Sequence, residues 1–314
     1  FKEEQMSYLY YKAINWDEIE DNFDKYAWEQ LTSNFWLDIR IPVTNDKESW
    51  EQLLTTEKQQ MSQLLASASL LACLQSEFGT PMLRGDKRTQ QEEAVLNTVT
   101  FMKSVHAKSC TTVFRTLLTA QQSKEAFHFA DYEPNLQKET EQLIAVFQSG
   151  TSLQKKAVFI LTEIGLSVGK YYPILKQTNL ANLEQLVLNI LRGSEIFCAY
   201  IGYKFRLGFS ELENKQQEQI KSWVENFFSE LITTETAFLT ANNYENQDLL
   251  NLCYWGTNYS LNLLGMGPIY SVKKTSLIEK LERIFIDQNK FSQQVAAANN
   301  EADTEDMTDD DYDF

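Results

Sequence analysis

The chain has 314 residues, a formal net charge of −16, and 43% hydrophobic and 12% aromatic residues. That content is ample for a core and excludes a mostly disordered chain, and the length suits one large or two ordinary domains. No basic stripe is present, so nucleic acid is not an expected partner. No uninterrupted apolar run approaches the roughly 18–20 residues of a membrane span, so no membrane association is expected. The opening FKEEQMSYLY has neither the basic nor the apolar region of a secretory signal. Cys73, Cys110, Cys198 and Cys253 lie in apolar segments with no framework spacing and no CxxC, the usage expected of reduced thiols in a cytoplasmic protein.

Five prolines and eleven glycines are few, and they fall mostly where long periodic segments end, which predicts an all-α protein. The aromatic-rich first 46 residues read as short helices and loops wrapping a body. From Lys47 the apolar spacing becomes helical, through Trp50, Leu53, Leu54, Met61, Leu64 and Leu65 to Leu74, and it stops near Gly79-Thr80-Pro81. A second helix opens at Thr89, with Glu92 three positions on as a capping box, and runs through VFRTLL. A short element around 124–130 and a helix over 139–149 follow. Long helices are predicted over 153–177, with Pro173 near the end, over 182–209 and over 215–239; a moderate one over 246–264 is ended by GMGPIY. Several exceed 20 residues and are apolar around most of their circumference, so they must bury one another in a bundle. No repeat of fixed period is found. Residues 1–290 are expected to form this bundle domain and residues 291–314 a flexible acidic tail. The last fourteen residues, EADTEDMTDDDYDF, carry eight acids and no base, and end in Tyr312-Asp313-Phe314.

Within the second helix, FMKSVHAKSC places Lys103, His106 and Cys110 on one stripe at spacings of three and four. Helical bundles can hold two metals between four helices, with single carboxylates from two of them and Glu-x-x-His from the other two. The acids are needed because paired divalent cations in a dry core must be neutralised. KSVH (103–106) and SEIF (194–197) are the two places where such a set could be sought. The first keeps the histidine beside an ammonium, and the second keeps neither ligand.

The stretches YYKAINWDEIEDNFDKYAWEQLTSNFWLDIRIPVTND, EEAVLNTVTFM-SVHAKS, LQKKA and YIGYKF, together with the tip DDDYDF, resemble the small (beta) subunit of class Ib ribonucleotide reductase over nearly the whole chain. The resemblance implies a homodimeric, ferritin-like helical bundle that assembles a diiron or dimanganese centre and oxidises a nearby tyrosine to a radical. That radical passes to a large (alpha) subunit, which reduces ribonucleoside diphosphates. Carried over residue by residue, the family's metal positions fall on Ala72, Lys103, His106, Thr162, Ser194 and Phe197, and its radical tyrosine falls on Cys110. An aspartate on the family's radical path falls on Gly193, while Trp36 matches the tryptophan of that path. One ligand of six is retained, so neither metal nor cofactor is expected.

Glu163 and Glu195 each lie one residue past a ligand position, and Glu195 with Cys198 reads as Glu-x-x-Cys. On an α-helix a one-residue shift turns a side chain by about 100°, so both acids are expected to face away from the cavity. Lys103 either supplies the missing metal charge, pairing with Glu163 or Glu195, or extends its stem outward to solvent. Cys110 is either a redox thiol or an inert core residue. His106 is either a relict ligand or a hydrogen-bonded core imidazole, and Trp36 is explicable by packing alone. His128, in a short polar element, carries no signal. In relatives the flexible tail docks on the large subunit, and Tyr312, Asp313 and Phe314 suit that role. These readings predict a small-subunit homologue that binds the large subunit, as a homodimer or in mixed dimers with an active small subunit, in a non-catalytic or regulatory role. The alternative is a working beta subunit with an unconventional, metal-free radical or redox residue.

Overall fold

The computed structural model describes residues 13–85, 88–244 and 246–285. The acidic tail and its Tyr312, Asp313 and Phe314 lie outside the described residues. Helix α1 spans Asn22–Ser33 and α2 Lys47–Glu51. Helix α3, Thr55–Leu74, runs on through a π turn at Gln75–Gly79. It is followed by α4 (Gln90–Leu117), α5 (Ala120–Tyr132) and α6 (Pro134–Ser149). Helix α7, Ser152–Leu175, is α-helical over Ser152–Ile160, π-helical over Leu161–Leu166 and α-helical again over Ser167–Leu175. Helices α8 (Ala181–Ser210), α9 (Asn214–Ala241), α10 (Gln247–Leu263) and α11 (Ser276–Ile284) complete the set.

No strand occurs among the described residues, in line with the all-α expectation. Several details differ. The segment from Lys47 to Leu74 is broken at 52–54 into α2 and α3, and it does not stop at Gly79-Thr80-Pro81, because Pro81 sits in the first turn of a further short helix, Thr80–Met82, where its missing N–H is harmless. The α11 helix was not expected, although Leu277, Ile278, Leu281 and Ile284 recur in it at helical spacing. At the start of α4, Thr89 caps the N–H of Glu92 at 2.9 Å, but Glu92 turns away to Lys204 at 3.6 Å instead of closing a capping box.

Helix α7 is the axis of the bundle. It packs on α3, α8 and α10, and Val158, Phe159, Ile160, Leu161, Ile164, Leu166 and Val168 are wholly buried. By length and composition it could cross a membrane, contrary to the sequence expectation, yet its apolar window is entirely buried among the other helices. Burying each such side chain contributes roughly 1.5–3 kcal/mol, which explains why the most apolar helix takes the centre. Helix α10 approaches it through Gly256, where a Cβ would stand 2.8 Å from Val168 Cγ1 and 3.0 Å from the carbonyl oxygen of Ile164.

Polar contacts between distant segments fix the frame. Buried Asp24 of α1 accepts hydrogen bonds from Tyr200 at 2.6 Å and Thr89 at 2.6 Å, and pairs with Lys204 at 2.8 Å. This ties α1 and the start of α4 to α8. The α8 N-terminus has no cap of its own. Asp46, far back in the chain, accepts from the backbone N–H groups of Asn182 at 3.2 Å and Leu183 at 2.6 Å.

A second buried charge cluster lies between α6, α7 and α9. Lys170 and Glu235 form an ion pair with no solvent exposure, and the Lys170 ammonium stands 3.9 Å from the Phe238 ring centre. Glu139 adds a second carboxyl with neither oxygen hydrogen-bonded among the described residues. Burial, opposed by Lys170 and reinforced by Glu235, raises Glu139 well above the usual carboxylate range. Burial, the largest single influence, lowers Lys170, but Glu235 and Glu139 together outweigh it and raise the ammonium. A carboxyl raised on folding holds its proton in the native state at pH values where the unfolded chain has lost it, so stability falls as pH rises above about 4.3. Thermal denaturation from pH 5 to 8 should therefore show the Glu139→Gln variant gaining on the parent as pH increases; parallel pH profiles would contradict this.

Candidate functional site

The stripe singled out on α4 faces inward. Lys103 is 4% exposed and His106 3%, so the ammonium does not reach solvent. Its Nζ donates to Glu163 Oε2 at 2.8 Å and lies 3.1 Å from His106 Nδ1. Ser194 Oγ on α8 donates to the same Glu163 oxygen at 2.7 Å. One carboxylate from α7 thus gathers an ammonium from α4 and a hydroxyl from α8.

The expectation that Glu163 faces away from the cavity is overturned. Glu163 lies within the π segment Leu161–Leu166, where hydrogen bonds to the fifth residue back widen the turn, so the α-helical increment of about 100° does not apply. Thr162 meanwhile spends its hydroxyl on the carbonyl of Val158 at 2.8 Å. Glu195 does point elsewhere: its Oε1 accepts from Tyr259 at 3.2 Å. Of the two partners open to Lys103 in the sequence, the fold selects Glu163.

His106 stacks with two rings. Trp36 lies with its centroid 5.7 Å away and Phe197 at 6.0 Å. Burial first, and the Lys103 charge second, hold its imidazole well below the usual range, so it is neutral. Ala72 on α3 and Cys110 on α4 are buried and carry no charge into this region. Burial raises the Cys110 thiol, so the thiolate that redox chemistry needs is disfavoured. The Cys198 thiol is likewise raised, by burial and then by Glu163 and Glu195. Tyr171 is buried, and its phenol is raised by burial and then by Glu163 and Cys110.

The site therefore unites Lys103, His106, Glu163, Ser194, Phe197 and Trp36. Ser194's hydroxyl and Phe197's stacking had no sequence signal beyond their alignment with ligand positions, and nothing in LTEIGL announces a π turn. As a cation site the set offers one imidazole and one carboxylate, the latter committed to an ammonium. Among the described residues no group of three or more His, Cys, Asp or Glu is placed to hold a metal ion.

The comparisons agree with this frame. The family model for "Ribonucleotide reductase, small chain" matches residues 13–276. The ribonucleoside-diphosphate reductase subunit beta nrdF2 of Mycobacterium tuberculosis is 30% identical over 272 residues, covering 84% of each chain. The ribonucleoside-diphosphate reductase 2 subunit beta of Escherichia coli is 30% identical over 264 residues, 82% of this chain and 83% of that one. The crystal structure of Streptococcus sanguinis dimanganese(II)-NrdF superposes with a TM-score of 0.83 at 35% identity, covering 87% of this chain and 99% of that one. The chain belongs to the ribonucleotide reductase small-chain family, on its class Ib, NrdF-like side, with the ferritin-like helical bundle of that family.

Removing one partner of a buried ion pair strands the other and costs about 3–5 kcal/mol, whereas removing both costs far less. Lys103→Met and Glu163→Gln should each destabilise the fold by about that amount, and the double variant should recover most of it. Urea denaturation of the four proteins measures the coupling; strictly additive losses would show that the pair is not the unit described.

Proposed function

We propose that this chain is a ribonucleotide reductase small-subunit homologue that keeps the scaffold and partner binding but builds no dimetal–tyrosyl cofactor, and that its role is supporting or regulatory. The observation that carries this reading is the Lys103 ammonium at 2.8 Å from Glu163. At effective dielectric constants near 20, a divalent cation about 4 Å from an ammonium is opposed by several kcal/mol. The remaining donors, one imidazole and one hydroxyl, cannot offset that. The residues present do not fit the diiron or dimanganese centre of the family. The internal ion pair supplies the charge neutralisation that metal and acids supply in a metallated bundle, so the four-helix interior stays closed without an ion.

In this reading residues 1–290 form the bundle, and the tail 291–314 docks on the large subunit through Tyr312, Asp313 and Phe314. The bundle pairs with itself or with an active small subunit in the cytoplasm. A segment rich in acids with an aromatic tip suits order-on-binding recognition.

The second reading, a working beta subunit with a metal-free radical or redox residue, draws on Tyr171, the buried phenol next to Glu163 and Cys110 in electrostatic terms. Paramagnetic resonance and deoxyribonucleoside-diphosphate formation with the cognate large subunit separate the two. No signal and no turnover are expected without a second small subunit, and robust activity would favour the enzyme.

Metal analysis after anaerobic loading with iron or manganese should find far less than one ion per chain; two ions per chain would overturn the metal-free reading. Cutting the chain after residue 300 should weaken large-subunit binding by at least about tenfold, a loss of about 1.4 kcal/mol or more. Equal affinity of the cut and full-length proteins would remove the tail from the interface.

A further inference from the structure

The hydrogen-bonding of His106 is only half accounted for. An ammonium has three donors and no acceptor, so at the 3.1 Å contact with Lys103 the Nδ1 of His106 must be the acceptor. The ring proton is then on Nε2, and that N–H has no partner among the described residues. The indole Nε1–H of Trp36, on the ring stacked against His106, is also buried and without a partner there. Buried donors of this kind are rarely left unmet.

The wall facing Nε2 is made by a glycine. A Cβ built on Gly193 would lie 3.7 Å from both Cε1 and Nε2 of His106 and 3.7 Å from Phe197 Cζ, ordinary contact distances. The backbone there accommodates the start of a side chain, and none is present. Two N–H donors on stacked rings thus lack an acceptor among the described residues, and one of them, His106 Nε2, borders the Gly193 position.

We propose that the pocket bounded by Gly193, His106, Trp36 and Phe197 binds a small oxygen acceptor, either a water or a small carboxylate of formate size, through His106 Nε2–H and Trp36 Nε1–H. Each donor gives one hydrogen bond to the acceptor's oxygens, and the flat faces of Trp36 and Phe197 hold the imidazole in place. A carboxylate would also place a negative charge on the side of His106 opposite Lys103. The assignment is independent of whether the chain docks on a large subunit; it uses only the tautomer fixed by Lys103.

The full-length chain has two histidines, His106 and His128, so 15N imidazole spectra resolve the ring of interest. Formate is titrated against chloride at matched ionic strength. A saturable shift of the His106 Nε2 and Trp36 indole signals, with His128 unmoved, supports the carboxylate arm. If formate moves neither signal, a crystal structure with an ordered water in hydrogen-bonding contact with both nitrogens supports the water arm. Gly193→Asp, which carries its own acceptor, should abolish the formate response and melt at higher temperature than Gly193→Ala, which gains helix propensity alone. The proposal is overturned if the His106 proton is on Nδ1, or if there is neither a formate response nor an ordered water. It is equally overturned if Gly193→Asp melts below Gly193→Ala.

Discussion

The buried contact between Lys103 and Glu163 organises the centre of the molecule. Two charges withdrawn from water are tolerable only when they meet each other and further dipoles. Here Ser194 shares the carboxylate, and the imidazole of His106 accepts from the ammonium. That one contact fixes the His106 tautomer and draws helices α4, α7 and α8 to a common point. It also puts positive charge in the interior of a bundle whose relatives include a dimanganese protein.

The rest of the fold can be read as support for that point. Helix α7 is central because nearly all of its surface is apolar, and its π segment turns Glu163 inward. Trp36 and Phe197 both stack with the imidazole. Asp24, Asp46 and Lys204 tie the N-terminal segment to α8, and α8 is the helix that carries Ser194. The Lys170–Glu235 pair, with Glu139 beside it, repeats the device between α6, α7 and α9. Among the described residues the bundle thus twice pairs a buried lysine with a buried glutamate.

Much of this was legible in the sequence, unevenly. The long helices were, because their apolar residues recur at helical spacing, although Gly165, Gly169, Gly193, Gly202, Gly208, Gly256 and Pro173 lie within them; α11, with Leu277, Ile278, Leu281 and Ile284 at helical spacing, was missed. Lys103, His106 and Cys110 were legible as a stripe because residues three and four apart share a helix face. The direction of Glu163 was not, since one-dimensional spacing assumes uniform α-helix and the π turn breaks that assumption. The closing of Glu92 onto Thr89 was also misjudged. A cap is local, but Lys204, more than a hundred residues on, competes for the same carboxylate.

By itself the sequence determined the fold class, which follows from residue type and periodicity along the chain, and the family kinship, which follows from the stretches that resemble it. Only the tertiary structure decided that Lys103 meets Glu163 and not Glu195 or solvent, that Ser194 joins them, and that Trp36 stacks on the His106 ring. Those choices depend on how helices α4, α7 and α8 are rotated about their own axes against one another and against the loop that carries Trp36. Rotation is set by the packing of every side chain at once, a quantity no local stretch of sequence contains.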